Sequence, residues 1–434
     1  MLSSQKCSSR GSAALPLVPV APPAACGRPN LVLRMTHKPL AAAGPSAFET
    51  PATSGGGAAG RRIAAVIAHP LRATLPTPQR TSQATFAAIE IVVVEIRTAD
   101  GLVGWGECLA RRGCNAYASF IEQVLAPLLL GEDPLDRRRL WNRLRAPLTG
   151  RTGGMLIEAI AGIDIALWDL AGRVAQLPVA KLLGGVGRSR IAAYASSINW
   201  LDDDTVRGEV ATVLQAGFSQ VKVKLGRPVA EAIRRAKLVR ELAGDTVLLG
   251  VDANWAYDLD DAIAVGRTLA ELGYDFFEEP LPPEDRQGYR RLSRAVPIRL
   301  AAGESDFTAG DALESLADRS IGLVQPDVAR AGGISESWRI AELAALHRVR
   351  YAPHVGWSGA LCVAASLQLA AAAEAFWSFE CMVCENPLRQ ALTKQPAGEA
   401  SLLVDGGLPV PDGPGLGVEV DRDRLAALRV VAGA

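Results

Sequence analysis

Short apolar runs alternate with helical segments through the middle of the chain. Eight of these runs have the length and composition of buried β-strands: 191–195, 220–225, 247–252, 276–279, 298–304, 321–325, 350–354 and 376–380. Segments with helical periodicity, such as 229–243 and 259–272, lie between most of them. A strand followed by a crossover helix, repeated eight times in about 200 residues, is typical of a parallel (β/α)8 barrel of the TIM type. A doubly wound open sheet is the alternative, but no G-x-G-x-x-G motif follows the first strand.

A sheet followed by longer helices precedes this repeat. Segments 63–68 and 89–97 are rich in Ile and Val and predict strands, and Asp100-Gly101 is a turn signal. Helical periods then occupy 118–130, 134–144 and 153–177. This order predicts an α+β domain over 61–185, the barrel over 186–400, and a C-terminal segment over 401–434 that returns to the first domain.

The first 60 residues differ in composition from the rest of the chain. They are rich in Ala, Pro, Ser and Gly and contain no acidic residue before Glu49. Such a segment buries too little apolar surface to offset its ordering entropy, so 1–60 is interpreted as disordered or as lying upstream of the true start. A targeting segment is the alternative, although four prolines between positions 16 and 23 disfavour an amphipathic helix there.

Composition narrows the class of function. The 434 residues carry 46 basic and 46 acidic side chains, a balance that argues against binding to nucleic acid. No run of about 18 apolar residues predicts a membrane span. Seven cysteines, an odd number, do not resemble a disulfide framework and favour a reducing compartment, so we expect a cytoplasmic enzyme.

Two lysines interrupt the second strand of the repeat. Lys222 and Lys224 lie two residues apart, so both ammonium groups share one face of the strand while Val221 and Val223 take the other. In a barrel strand the apolar face packs against the helices, which directs both lysines inward. Repulsion and burial lower the pKa of a lysine amine, which suits it to act as a base. A solvated edge strand is the alternative.

Three carboxylates follow at matching places. Asp252, Glu278 and Glu304 end three consecutive strands, 26 residues apart in both intervals. Neighbouring carboxylates repel unless a hard divalent cation lies between them, so this spacing predicts a Mg²⁺ site, with Mn²⁺ as a substitute. Glu279 is a weaker candidate, because adjacent strand residues face opposite sides. Capping of the following helices is the alternative use of the three acids.

The series continues on the next three strands. Asp327, His354 and Glu380 follow at intervals of 23, 27 and 26 residues. A carboxylate beside a histidine orients the imidazole and stabilises its charged form. Asp327 and His354 are therefore predicted to act as a pair.

The combined motifs resemble the enolase superfamily, in its mandelate-racemase-like subgroup. They are Lys-x-Lys, Asp, Glu-Glu-Pro, Gly-Glu, Gln-Pro-Asp and Pro-His, together with the stretches 161–173 and 411–418. The resemblance implies that Lys224 is the base on one face of the substrate, with Lys222 tuning it. It implies that His354, held by Asp327, is the acid or base on the opposite face.

The same resemblance implies roles for other residues. Glu380 would hydrogen-bond the substrate carboxylate as an acid, and Asn254 would contact the α-hydroxyl group. Trp255 either walls the pocket or packs beneath the first domain, which caps the barrel. Loops over 74–88 and 109–118 would select the substrate. Arg80, Arg111 and Arg112 are candidate substrate contacts there, with surface charge as the alternative.

Bases on opposite faces of a substrate allow two outcomes after removal of the proton α to a carboxylate. Loss of a β-hydroxyl group gives dehydration of a sugar acid, which we favour because that activity is widespread in the resembled subgroup. Return of the proton to the other face gives racemisation of a 2-hydroxy acid. Cycloisomerisation of the muconate type is disfavoured, because those relatives carry a second lysine in place of the histidine. A non-catalytic binding protein would show gaps in the set of site residues, and there are none.

The substrate is therefore expected to be a small carboxylate. The resemblance also implies a homo-oligomer.

Overall fold

The computed structural model describes residues 61–147, 153–185 and 187–430, apart from the side chain of residue 197. The N-terminal segment 1–60 interpreted above lies outside these residues. The described chain consists of a three-stranded sheet with its helices, followed by a curled parallel sheet.

The three-stranded sheet of the capping domain is antiparallel, in the order β1–β2–β3. Its strands are β1 (Ile63–Arg80), β2 (Thr85–Thr98) and β3 (Val103–Leu109). The first two are longer than predicted, so the expected loop over 74–88 is reduced to residues 81–84. Pro76 and Pro78 are tolerated because β1 is an edge strand and they lie where its register with β2 shifts, between Thr74 and Gln79.

Helices follow this sheet in the chain. They are α1 (Cys114–Phe120), α2 (Arg137–Arg145), α3 (Met155–Ala175) and α4 (Val179–Leu182), with a π-helical turn at Ile121–Leu125 and a 3₁₀ turn at Ala126–Leu128. Helix α3 is buried along nearly its whole length and packs on β3. A side chain at Gly106 would overlap the carbonyl of Gly162, so the two glycines permit this close approach.

The parallel sheet forms a (β/α)8 barrel, as predicted. Its strands are β4 (Arg190–Ile198), β5 (Gln220–Lys224), β6 (Leu248–Asp252), β7 (Phe276–Glu278), β8 (Arg299–Ala302), β9 (Leu323–Val324), β10 (Arg350–Tyr351) and β11 (Phe379–Met382). Neighbouring strands pair in parallel from β4 to β10, and β11 pairs with β4. The barrel closes where Tyr351 N donates to Ala375 O and Trp377 N donates to Tyr351 O, both at 2.8 Å.

Helices follow the strands around the outside of the barrel. They are α5 (Asp203–Gln215), α6 (Val229–Ala243), α7 (Leu259–Glu271), α8 (Arg286–Ala295), α9 (Ala309–Ala317), α10 (Gly333–His347) and α11 (Ala360–Ala372). Among the described residues, no helix has the length and apolar character needed to cross a membrane.

The C-terminal part contacts both domains. It contains α12 (Pro387–Gln390), a 3₁₀ turn at Ala400–Leu402, β12 (Gly407–Pro409) and α13 (Arg422–Ala427). Strand β12 pairs antiparallel with β4 of the barrel. Val430 N donates to Pro70 O at 2.9 Å, which joins the end of the chain to β1 of the capping domain.

Aromatic rings fill the barrel interior on the N-terminal side of Glu278. The ring of Phe276 lies 6.0 Å from that of Tyr194 and 5.7 Å from that of Trp377. Gly250 on β6 makes room for Phe276, because a Cβ at position 250 would overlap its ring.

Gly250→Ala is expected to lower the free energy of unfolding by about 1–3 kcal/mol, because the added methyl group forces Phe276 out of place. Chemical denaturation measures this change. Gly208→Ala is the matched control: Gly208 lies within α5, and nothing is within 4 Å of a Cβ there. That variant should be neutral or more stable, since alanine favours a helix. Equal stability of the two variants would contradict this interpretation of Gly250.

Candidate active site

The two lysines of β5 both point into the barrel. Lys222 and Lys224 are buried, while Val221 and Val223 pack in the core between strands and helices. The Lys222 ammonium group lies 2.7 Å from Glu278 Oε1 and 2.7 Å from Glu380 Oε1. Burial lowers the pKa of Lys222, but Glu278 and Glu380 more than offset this, so the pKa is raised well above its usual range. The lowered pKa expected for a buried lysine is therefore not found at Lys222, because the two carboxylates stabilise its charged form.

Three carboxylates converge beside these lysines. Asp252 and Glu278 end β6 and β7, and Glu304 lies two residues beyond β8. One oxygen from each lies within 4.8 Å of the others, and all three side chains are buried. Hard oxygen ligands at this separation fit a single divalent cation. The arrangement can therefore hold a metal ion.

Each of the three carboxylates also contacts a basic side chain. Lys224 donates to Asp252, and Lys222 donates to Glu278. His354 Nε2 lies 3.1 Å from Glu304 Oε2. Each of the three acids is thus paired with a basic side chain of the site.

Glu279 points away from this group. Its carboxylate accepts hydrogen bonds from Trp255 Nε1 at 2.9 Å, from the Tyr289 hydroxyl group at 3.1 Å and from Gly303 N at 3.1 Å. Burial raises the pKa of Glu279 to about 8. The strand alternation that made Glu279 the weaker candidate accounts for its direction.

The backbone beside the carboxylates is strained. Asn254, Trp255 and Glu279 have φ of 45°, 63° and 42°, a region that residues other than glycine seldom adopt. Such strain is concentrated at functional sites, where it holds side chains in place. Asn254 Nδ2 donates to Asp252 Oδ2 at 3.2 Å, while the buried Oδ1 has no partner. That oxygen is available to a ligand.

His354 and Asp327 form a hydrogen-bonded pair. His354 Nδ1 lies 2.8 Å from Asp327 Oδ2, and Ala329 N donates to the other oxygen of Asp327 at 2.9 Å. Burial lowers the pKa of His354, but Glu304, Glu380 and Asp327 outweigh it, so the pKa is raised well above its usual range. Because Asp327 takes Nδ1, the other ring nitrogen faces the carboxylates.

Glu380 on β11 accepts several donors. Lys222 and the Ser196 hydroxyl group contact Oε1, each at 2.7 Å, and Val355 N donates to Oε2 at 3.0 Å. Burial raises the pKa of Glu380, but Lys222 and His354 hold it well below its usual range. The role of Glu380 as an acid toward the substrate requires a proton, and it stays a prediction.

A cavity joins these groups to the capping domain. Its barrel side is lined by Lys224, Asn254, Trp255, Glu304, His354, Gly356, Trp357, Glu380 and Met382. Its other side is lined by Thr81, Gln83, Phe86 and Arg111. Lys224 and His354 thus reach the same space, beside the carboxylate group.

The sequences of two known families match this chain. The family described as "Mandelate racemase / muconate lactonizing enzyme, N-terminal domain" matches residues 62–184. The family described as "Enolase C-terminal domain-like" matches residues 205–424. The chain belongs to the enolase superfamily, in its mandelate racemase/muconate lactonizing enzyme subgroup. The resemblance drawn from the motifs is confirmed.

Enzymes of this superfamily are similar to the chain over most of its length. The D-galactarolactone cycloisomerase of Agrobacterium fabrum is 36% identical over 85% of this chain and 99% of its own. The arabinonate dehydratase of Saccharolobus solfataricus is 37% identical over 76% of this chain and 88% of its own. A racemase from Streptomyces coelicolor, solved with bound magnesium, has a TM-score of 0.77 and 30% identity over 85% of this chain and 100% of its own. The alternative of a non-catalytic barrel is not supported.

The structure does not bring every predicted contact into the cavity of this enolase-superfamily site. Asn254 and Trp255 line it, but the side chain of Arg80 is exposed and lies outside its lining. Strand β1 continues to Arg80, and the buried side chains of Gln79 and Thr81 on either side direct Arg80 outward. Arg112 is exposed as well, whereas Arg111 lies 3.5 Å from Glu304.

Further residues of the site were not singled out in the sequence. Gln325 Nε2 donates to Glu278 Oε2 at 2.7 Å, and Ser196 holds Glu380. Gln325 belongs to the Gln-Pro-Asp motif, and as the inward residue two positions before Asp327 it could have been identified. Gln83 Nε2 donates to Asn254 O at 2.8 Å. Nothing in the local sequence signals this contact, since 171 residues separate its partners.

Proposed function

We propose that this protein is a Mg²⁺-dependent sugar-acid dehydratase. It removes the proton α to the substrate carboxylate and expels the hydroxyl group on the β-carbon. The supporting observation is that Lys224 and His354 line one cavity beside three carboxylates that can hold a single metal ion.

Asp252, Glu278 and Glu304 would hold the cation, and Mn²⁺ could replace Mg²⁺. A bound divalent cation supplies positive charge that stabilises the negative charge developing on the substrate carboxylate. The three ligands are acidic oxygens, which suits Mg²⁺ better than softer metals. The magnesium in the Streptomyces coelicolor racemase supports the choice of ion.

The proton steps belong to Lys224 and His354. Lys224 takes the α-proton, and the substrate becomes an enediolate whose added negative charge lies on the carboxylate oxygens. His354 gives a proton to the β-hydroxyl group, which leaves as water, and the resulting enol becomes a 2-keto acid. Asp327 holds the imidazole in position through the 2.8 Å contact with Nδ1. Lys222 stays charged between Glu278 and Glu380, where it neutralises part of the carboxylate charge.

Among the reactions open to this site, we favour elimination of an oxygen from the β-carbon. Similarity to a dehydratase and to a sugar-lactone cycloisomerase supports elimination over racemisation. Opening of a lactone is the second candidate. Where the ring oxygen is bonded to the carbon β to a free carboxylate, removal of the α-proton expels that oxygen instead of a hydroxyl group. Racemisation of a 2-hydroxy acid remains the alternative outcome of the same first step.

Substrate binding is assigned to residues that line the cavity. Asn254 offers an unpaired oxygen to a substrate hydroxyl group, and Trp255 forms a wall. Arg111 takes the place of Arg80 as the cationic contact. The proposal includes a cytoplasmic location and a homo-oligomeric state, and it includes no nucleic-acid or membrane partner.

A library of mono- and diacid sugars and their lactones tests this proposal. Incubated with the protein and Mg²⁺, at least one open-chain acid should lose water and give a 2-keto acid, which proton NMR detects. Omission of Mg²⁺ is the control. Turnover of lactones alone would replace the dehydratase assignment by the cycloisomerase one. Epimerised acids without loss of water would identify a racemase.

A further inference from the structure

A buried acid from the capping domain reaches the helix that follows the His354 strand. Glu107 lies on β3 and is fully buried. Its two oxygens accept hydrogen bonds from Gly359 N at 2.6 Å and from Cys362 N at 3.1 Å. These amides belong to the first turn of α11, and 252 residues separate Glu107 from Gly359. The carboxylate therefore caps a barrel helix from the other domain.

This first turn of α11 touches the Asp327–His354 pair. Cys362 Sγ lies 3.8 Å from Asp327 Oδ1, the oxygen that Ala329 N also contacts. A second link runs from the same strand, because Leu109 N on β3 donates to Ala329 O at 3.1 Å. Strand β3 is thus linked to two residues that contact Asp327 Oδ1, namely Cys362 and Ala329.

The segment between His354 and α11 is held at both ends. At one end, Val355 N donates to Glu380 at 3.0 Å, and Gly356 packs against the imidazole, leaving no room for a side chain there. At the other end, Glu107 contacts Gly359 so closely that a Cβ at Gly359 would lie 2.8 Å from Glu107 Oε2. A shift of the first turn of α11 would therefore be transmitted to His354.

We propose that Glu107 is a positioning residue for the proton step of His354. By fixing the first turn of α11 it holds Cys362 against Asp327, and Asp327 sets the orientation of the imidazole. The seating of the capping domain on the barrel is thereby coupled to the acid–base geometry of the site. The inference rests on the proposed role of His354.

A second buried acid provides a matched control. Glu95 on β2 of the capping domain is as fully buried as Glu107, and its carboxylate accepts hydrogen bonds from Arg97 Nε and Arg422 Nη2, both at 2.7 Å. Arg97 belongs to β2 and Arg422 to α13, so neither contact fixes the first turn of α10 or α11. Neither Glu95 nor Glu107 lines the cavity. A purely structural role would make substitution at the two positions equivalent.

The test compares Glu107→Gln with Glu95→Gln in the full-length protein. The chain has four histidines, so the imidazole signals of His354 can be identified in ¹⁵N-labelled protein by comparison with His354→Asn. In Glu107→Gln these signals should shift, because the amide keeps only one acceptor for the two backbone donors. In Glu95→Gln they should stay at the wild-type position. Unchanged His354 signals in a folded Glu107→Gln protein would overturn the proposal.

Kinetics give a second measurement with a substrate from the sugar-acid library. Glu107→Gln should lower kcat about 10- to 100-fold and change KM by less than about threefold, as expected for a group that orients another. Glu95→Gln should change neither, even if both variants melt at similarly lowered temperatures. Equal kcat values in the two variants would also overturn the proposal. Failure to find any substrate would count against the proposed function, whereas the NMR comparison would still decide the role of Glu107.

Cys362→Ala keeps the inference testable if Glu107→Gln does not fold. It removes the sulfur contact with Asp327 and leaves both amides on Glu107 in place. The His354 signals should shift in the same direction as in Glu107→Gln, by a smaller amount. Signals identical to those of the wild type would show that α11 does not act on the Asp327–His354 pair through Cys362.

Discussion

Lys224→Ala is expected to lower kcat about 10²- to 10⁴-fold, the usual contribution of a positioned general base. The amine of Lys224 contacts Asp252 and lines the cavity that His354 also reaches. No other lysine among the described residues lines that cavity, because Lys222 points to Glu278 and Glu380 and is not part of its lining. Steady-state assays with the identified substrate measure the loss, and circular dichroism confirms that the variant is folded.

Lys237→Ala is the control for Lys224→Ala. Lys237 is an exposed residue of α6, so its removal should leave kcat unchanged. His354→Asn is expected to cause a loss of similar size, since His354 supplies the second proton step. Full activity of either site variant would remove that residue from the mechanism.

Glu278→Gln is expected to weaken Mg²⁺ binding more than substitution of a residue that only orients a metal ligand. Such substitutions typically cost roughly 10- to 100-fold in affinity. The amide is isosteric with the carboxylate but lacks its charge. It also removes the charge of one of the two carboxylates that lie 2.7 Å from Lys222. Titration calorimetry with MgCl₂ measures the affinity directly, with no need for a substrate.

Glu279→Gln is the matched control for the metal site. Glu279 is the next residue in the chain and is as buried as Glu278, but its carboxylate contacts Trp255, Tyr289 and Gly303 instead. Its removal should change Mg²⁺ affinity only slightly. If both variants bound Mg²⁺ equally well, Glu278 would not be a ligand.

The barrel and the core of its site could be predicted because both follow from periodicity. The two-residue spacing of Lys222 and Lys224 set their common direction, and the structure places both inside the barrel. The equal intervals between Asp252, Glu278 and Glu304 placed them at equivalent strand ends, where their oxygens meet. In each case a local pattern along the chain determined the position in three dimensions.

The capping side of the cavity could not be predicted in the same way. Its residues come from the segment between β1 and β2, from β2 and from the segment after β3, and their contacts with the barrel join positions far apart in the chain. Arg80 was assigned to the cavity because a loop was expected over 74–88. The sheet extends through most of that segment, and strand alternation turns Arg80 toward solvent.

The contact between Glu107 of the capping domain and α11 of the barrel could not be predicted from the sequence either. Glu107 follows Trp105 and Gly106 in a strand that carries no catalytic signal of its own. Its relation to His354 depends on how β3 lies against α11, which only the assembled chain shows. A buried acid that caps a helix of another domain is therefore identified from the structure and not from the intervals between residues in the sequence.

The central claim is that Lys224 removes the α-proton of a carboxylate held at the Asp252, Glu278 and Glu304 site, and that His354 protonates the group that leaves. Exchange of the α-proton of the identified acid in deuterium oxide, followed by NMR with and without Mg²⁺, tests it most directly. Deuterium should enter the acid at its α-carbon, or enter the product of that acid, only with Mg²⁺. It should also require an intact Lys224, the base that removes the α-proton. Exchange that persisted without Mg²⁺, or in Lys224→Ala, would contradict the claim.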